Sequence, residues 1–161
     1  MPTGIGYDVH KISSNGEMVL GGITIASLPA FEAESDGDVI IHAIIDALLG
    51  ASNNVLENNK DISDFFNTNN TTKEKNSKKV LCKVLSTINR KKNLSIVNID
   101  IVVIAAKPKI RDYKEEIITN LTNILNLNKK QLTIKGKSNN GIGETGSGEA
   151  VACIAIIETK D

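Results

Sequence analysis

Asp8 and His10 stand two residues apart, and His42 is the only other histidine in the 161-residue chain. On a strand, side chains at i and i+2 leave the same face, so Asp8 and His10 can address one point. One carboxylate and two imidazoles suit a zinc-like ion. Three protein ligands leave a fourth coordination position open, which is the pattern of a catalytic metal site rather than a closed structural one. The plainer alternative is two unrelated histidines, one on a strand and one on a helix, because an isolated D-x-H is short and common.

These three residues depend on the elements that carry them. Residues 3–10 read as a first strand ending at the candidate ligands. Residues 17–20 and 23–26 flank Gly21-Gly22, a tight hairpin in which glycine supplies positive φ. A loop then leads to Glu34-Ser35-Asp36-Gly37-Asp38, where Asp36 or Asp38 can cap the next helix. That helix is expected over 39–51, with Ile41, Ile44, Ile45, Leu48 and Leu49 forming a broad apolar face. His42 and Asp46 lie one turn apart on another stripe. Asp46 is either a partner that orients an imidazole or an ordinary solvated carboxylate.

Residues 52–75 are rich in Asn, Asp, Lys and Thr, interrupted by Val55-Leu56 and by Ile62 to Phe66. A loop this long inside a compact domain is usually functional or disordered, and the Phe pair would anchor it as a lid. Helical spacing returns over 77–88, a β-branched run over 97–106 reads as a buried strand, and 113–125 reads as a third helix. Residues 132–135 form a strand, 136–148 a glycine- and polar-rich loop, and 150–158 a closing strand. The order β, ββ, α, α, β, α, β, β predicts an α/β (α+β) domain spanning 1–161, with helices layered on one side of a mixed sheet.

Composition narrows the function classes. Net charge is zero and aromatic residues are 3%, with no tryptophan, so nothing favours nucleic acid or an anionic membrane surface. No apolar run is long enough to cross a bilayer, and the chain opens directly into a strand, so neither a membrane span nor a leader is expected. Cys82 and Cys153 lie far apart in apolar surroundings and read as buried free thiols of a reducing compartment.

Longer motifs join these pieces. Asp8-Val9-His10 is followed by Ser35-Asp36-Gly37-Asp38-Val39, then His42-Ala43, then Asp46-Ala47-Leu48-Leu49-Gly50-Ala51. Ala105-Ala106-Lys107-Pro108-Lys109, Lys135-Gly136-Lys137 and the run Gly143 to Glu149 continue the series. In this order, across essentially the whole chain, they resemble the 2-C-methyl-D-erythritol 2,4-cyclodiphosphate synthases, cyclases of the non-mevalonate isoprenoid pathway.

The resemblance implies a phosphorus–oxygen lyase. Its substrate would be 4-diphosphocytidyl-2-C-methyl-D-erythritol 2-phosphate, whose 2-phosphate attacks the β-phosphorus and expels CMP. Zinc would be held by Asp8, His10 and His42, and a second cation, magnesium or manganese, would bridge the diphosphate near Asn140. Cytidine would meet Ala105, Pro108, Lys109 and Ile110, with Lys137 and Ser138 on the phosphate side. Lys109 by itself also reads as a solvated loop lysine. Asp61, Ile62 and Ser63 would close over the methylerythritol, while Glu34 and Ser35 would face the phosphates beside Asp8 and His10. Family members are homotrimers whose active sites lie between subunits, so the 97–106 run and the glycine-rich loop should approach a neighbour.

Several positions depart from the family pattern. Glu34 stands where the family usually has a histidine credited with transition-state stabilisation, and Ser138 replaces a threonine; these two are the candidate catalytic positions. Asn140 replaces the glutamate that binds the second cation. Asn67, Thr68 and Asn70 fall in an altered loop, and Ser147 replaces an arginine. A second reading is therefore a catalytically weakened, cyclase-like trimer that binds cytidine nucleotide or isoprenoid diphosphate. The asparagine abundance suggests an AT-rich genome. That points to the plastid stroma of a parasite, after loss of a transit peptide, or alternatively to a bacterial cytoplasm.

Overall fold

The computed structural model describes residues 1–53, 56, 60–66, 75–91 and 94–160. Asn67, Thr68 and Asn70, and Val55 in the first apolar pair of the long loop, lie outside the described residues. In chain order the elements are β1 (Thr3–Lys11), β2 (Met18–Leu20), β3 (Ile23–Ile25), α1 (Val39–Ala51) and α2 (Ser63–Phe66). They are followed by α3 (Ser77–Lys91), β4 (Ser95–Ile104), α4 (Ile110–Leu125), β5 (Leu132–Lys137), α5 (Gly143–Ser147) and β6 (Ala150–Lys160).

Four strands form one sheet in the order β1-β6-β4-β5, and β2 and β3 form a separate hairpin. β6 runs antiparallel to both β1 and β4, while β4 and β5 are parallel and joined through α4. The sheet is therefore mixed, as the element order implied. α1 packs on β1 and β6, α4 on β5, and α3 on α1.

β1 is built to accept a helix at very short range. Its residues Gly4, Gly6, Asp8 and His10 share one face. A Cβ on Gly6 would lie 1.9 Å from the Ala43 carbonyl oxygen, and one on Gly4 would lie 1.9 Å from that of Ala47. Two glycines on the strand thus meet two alanines one turn apart on α1, and the backbones touch. The strand face that begins with these glycines ends with the two candidate ligands.

α1 starts where a buried carboxylate holds four backbone donors. Asp38 is its N-cap and accepts from the N–H groups of Ile40 and Ile41, both at 3.1 Å. The same carboxylate accepts from Gly21 at 2.9 Å and Gly22 at 2.6 Å, where φ is +59° and +76° in the β2–β3 turn. Of the two capping candidates, Asp38 takes the cap. It also ties the hairpin to the helix start, satisfying donors that would otherwise be orphaned in the interior.

Some expectations need correction. α4 begins at Ile110 rather than Tyr113, because Ile110 is buried and adds a turn at its start. The segment after β5 is not a plain loop: it holds a 3-10 turn at Asn139–Gly141 and the short helix α5. Neither has the apolar periodicity that reveals a helix in sequence. β4 is buried on one face only, through Ile99, Ile101 and Val103, while Val102 and Ile104 on the other face stay partly exposed. Cys153 is buried, and Cys82, on the outward side of α3, is exposed.

Gly6→Ala should force α1 away from β1 and cost about 1–3 kcal/mol or more, the penalty of overpacking a contact that cannot relax. Urea unfolding of the variant against wild type checks this, and an unchanged midpoint would contradict the contact.

Candidate active site

Asp8 and His10 project from the end of β1 toward His42 in the first turn of α1. Asp8 Oδ2 lies 2.8 Å from His42 Nδ1 and 3.1 Å from His10 Nε2, and the two ring nitrogens are 3.3 Å apart. Three donor atoms form a small triangle, and among the described residues this is the one cluster of its kind. Zinc at about 2.0–2.2 Å from tetrahedral ligands requires donor separations of about 3.3–3.6 Å. The triangle therefore needs to open by only about half an ångström on its shortest edge. Donor type, number and spacing all fit a divalent metal with an open fourth position.

Burial alone would raise the Asp8 carboxyl and is the largest single influence on it. The combined hydrogen bonds and positive charge of His10 and His42 outweigh it and bring the group down to about 2. The same Asp8 hydrogen bond raises His10 above its ordinary value, against partial desolvation. His42 is held more tightly, since Ser77 Oγ lies 2.7 Å from its Nε2.

The triangle sits in a cavity of about 380 Å³ lined by Asp8, His10, Ala33, Glu34, Ser35, His42, Asp46, Ile62, Ser63 and Phe66. The Phe66 ring stands edge-on to His42, with centroids 5.4 Å apart, and Phe65 is buried. The described part of the long loop, 60–66, is therefore anchored by its Phe pair and forms one wall. Asp46 is neither a solvated carboxylate nor a hydrogen-bond partner of His42. It is half-buried and accepts from the Ile62 N–H at 3.0 Å, fixing that wall to α1. Burial raises the Asp46 carboxyl, the Ile62 N–H pulls it back, and the Asp61 and Asp8 charges raise it again. Asp61 does not line the cavity. Its carboxylate accepts from both the N–H and the hydroxyl of Ser63, at 2.8 and 2.5 Å.

The remaining site candidates gather elsewhere in the chain. Ala105, Pro108, Lys109, Ile110, Lys137 and Ser138 line a second cavity of about 480 Å³ between β4, β5 and the start of α4. Arg111, Lys114 and Lys135 join them. Sequence reading named Lys135 only within a motif and missed Arg111 and Lys114, which sit in helix positions that look merely solvated. Lys135 is engaged with Asp100 at 2.6 Å. The other basic groups give the cavity a positive lining suited to an anionic ligand. Asn140 lies on the turn just beyond Ser138, whose hydroxyl donates to its side-chain oxygen at 3.3 Å.

The fold and site define a small α/β protein with a candidate metal triad in one cavity and a basic cavity beside a Pro-Lys turn. The chain belongs to the YgbB family, whose model matches residues 1–160. It is 40% identical over 156 residues to the 2-C-methyl-D-erythritol 2,4-cyclodiphosphate synthase of Treponema denticola, covering 96% of this chain and 93% of that one. The IspF of Plasmodium falciparum, solved as a CDP complex, superimposes with a TM-score of 0.82 at 36% identity, covering 97% of this chain and 93% of that one. The bifunctional IspDF of Campylobacter jejuni gives a TM-score of 0.87 at 31% identity over 99% of this chain. There the match spans only 42% of the larger protein.

Any divalent metal taken up by the triad must displace protons from its donors. Asp8 is already ionised at neutral pH, so the first competitor is His10, whose raised pKa extends proton competition above the ordinary imidazole value of 6.5. Zinc affinity of the metal-free protein should therefore begin to fall while the pH is still above 6.5. Calorimetry in buffers of different ionisation enthalpy checks this through the proton release, and a pH-independent affinity between 6 and 8 would contradict it.

Proposed function

We propose that the chain converts 4-diphosphocytidyl-2-C-methyl-D-erythritol 2-phosphate to 2-C-methyl-D-erythritol 2,4-cyclodiphosphate and CMP. The observation that carries this reading is the convergence of Asp8, His10 and His42 in the first cavity of a chain that matches the family end to end. An oxygen of the 2-phosphate forms a bond to the β-phosphorus. The bond from that phosphorus to the CMP oxygen breaks, and CMP leaves with the electron pair. The nucleophile belongs to the substrate, so the protein's task is positioning and charge stabilisation.

Zinc held by Asp8, His10 and His42, with magnesium or manganese near Asn140, would supply Lewis-acid polarisation and neutralise the phosphates. The chain's own groups orient the rest. Ala105, Pro108, Lys109 and Ile110 receive the cytidine, while Lys137 and Ser138 bind the phosphate side through one ammonium and one hydroxyl. Ile62 and Ser63, held by Asp46, cover the methylerythritol against water, and Asp61 keeps Ser63 in place. Glu34 and Ser35 line the phosphate end of the metal cavity.

The metal cavity and the basic cavity are separate in a single chain, which supports a complete site assembled from two copies. The sheet face away from the helices supports self-assembly, for which the family resemblance implies a homotrimer. Ile5, Tyr7, Val9 and Ile156 remain 43–68% exposed there, and Ile5 pairs with Ile156 across β1 and β6. An apolar patch of this kind marks a protein contact. Among the described residues no helix is long and apolar enough to cross a membrane. Of the two compartments, relatives such as that of Treponema denticola support a bacterial cytoplasm, while the likeness to the Plasmodium falciparum IspF fits the parasite reading. The weakened-binder reading rests on Glu34 and Asn140 alone, and close similarity to a full-length synthase disfavours it.

Phosphorus NMR of the substrate mixed with enzyme, zinc and magnesium tests the reaction. The cyclic diphosphate and CMP should form in equal amounts, and intact substrate at stoichiometric enzyme would rule the reading out. Glu34 places a carboxylate among phosphates, so Glu34→His should raise kcat/KM by about tenfold at saturating magnesium, within the range of one like-charge contact. An unchanged kcat/KM would mean that Glu34 turns away from the substrate. Tyr7→Lys should shift the light-scattering mass from trimer to monomer and abolish turnover, whereas an active monomer would refute the shared site.

A further inference from the structure

We infer that Ser77 and Asp36 are positioning residues that fix the orientation of the His42 ring and the nitrogen that keeps its hydrogen, so that Nδ1 is the atom offered to a metal at the candidate position. Ser77 opens α3, far from the triad in sequence, yet it is fully buried. Its hydroxyl oxygen lies 2.7 Å from His42 Nε2. Its hydroxyl also donates to Asp36 Oδ1 in a short hydrogen bond, and its N–H donates to Asp36 Oδ2 at 2.9 Å.

The direction of these bonds follows from proton counting. A carboxylate can only accept, and a serine hydroxyl has one proton to give. With both Asp36 oxygens turned to Ser77, that proton goes to Asp36. A hydroxyl donating to Nε2 instead would leave two bare oxygens in close contact. The free lone pair of Ser77 therefore faces Nε2, which must carry a hydrogen and donate it. With a metal bound, an imidazole protonated at Nε2 presents its lone pair at Nδ1, the atom that meets Asp8 and His10 in the triangle. In the metal-free protein a proton at Nδ1, donated to the Asp8 carboxylate, stands where the ion would bind. Ser35 Oγ is also near Nε2, but at 3.5 Å, and it already accepts from the Gly37 N–H. It is the weaker partner.

Asp36 is itself held. Its N–H donates to the Lys75 carbonyl at 2.9 Å, and its Oδ1 also accepts from the Asp38 N–H at 3.3 Å. The chain thus joins the start of α3 to the turn that starts α1, with His42 between them. Outer groups that orient a metal-binding imidazole typically contribute about 10–100-fold in metal affinity.

The inference rests on the metal reading of the triad, so the experiment separates the two. Metal-free full-length protein is loaded with zinc in competition with a chromophoric chelator, for wild type, His42→Ala, Ser77→Ala and Asp36→Asn. Wild type should bind one zinc per chain and His42→Ala should lose it. Ser77→Ala should weaken zinc by about 10–100-fold. Nitrogen NMR of the zinc-loaded wild type should show a slowly exchanging His42 Nε2–H, and that signal should vanish in Ser77→Ala. Should Ser77→Ala fail to fold, Asp36→Asn keeps the test. Its amide turns a donor toward Ser77, reversing the hydroxyl or opposing the N–H, and should also weaken zinc. Zinc affinity and an Nε2–H signal unchanged in both variants would overturn the inference while leaving the metal reading intact. No zinc uptake by wild type would overturn both.

Discussion

The structure depends on the contact between β1 and α1. Gly4 and Gly6 have no side chain to hold the helix off, and Ala43 and Ala47 bring its backbone down onto the strand. Sheet and helix layers ordinarily interdigitate side chains. Here the two backbones meet, and that close seat fixes where α1 lies along β1. The consequence reaches the end of the strand, where Asp8 and His10 leave the same face as the glycines and find His42 within hydrogen-bond distance. A helix held off the strand by added side chains would carry His42 away from Asp8 and His10 and open the triangle.

Polar pins then set the orientation that packing leaves free. Asp38 binds the hairpin turn and the first turn of α1 at once, so the helix start is defined by four backbone donors on one carboxylate. Asp46, one turn beyond His42, holds the Ile62 segment as a wall of the cavity. Asp36 and Ser77 secure the far side of the His42 ring. Three acidic residues of one short stretch thus do three different positioning tasks, and Asp8 is the carboxylate offered to the candidate metal position.

Much of this was legible in the sequence because it is local or periodic. The apolar face of α1, the Gly21-Gly22 hairpin and the i, i+2 spacing of Asp8 and His10 all state their geometry directly. What escaped was long-range or aperiodic. Nothing in the residues around Ser77 signals that its hydroxyl meets an imidazole 35 positions earlier. Asp46 has helical spacing from His42, yet its real partner is a backbone N–H in a loop, which no spacing rule reveals. Cys82 lies among apolar neighbours in sequence, but it falls on the outward stripe of α3 and is exposed. The outer side chains of β4 and β1 look like core in sequence because they are apolar. Among the described residues no layer covers them.

The central claim is that this glycine-seated strand and helix bring three donors onto one metal position. Crystals of zinc-loaded protein, measured on both sides of the zinc absorption edge, test it most directly. One anomalous peak per chain is expected, bonded to Asp8 Oδ2, His10 Nε2 and His42 Nδ1. No peak at that triangle, or a peak only in the basic cavity around Lys109 and Lys137, would contradict it.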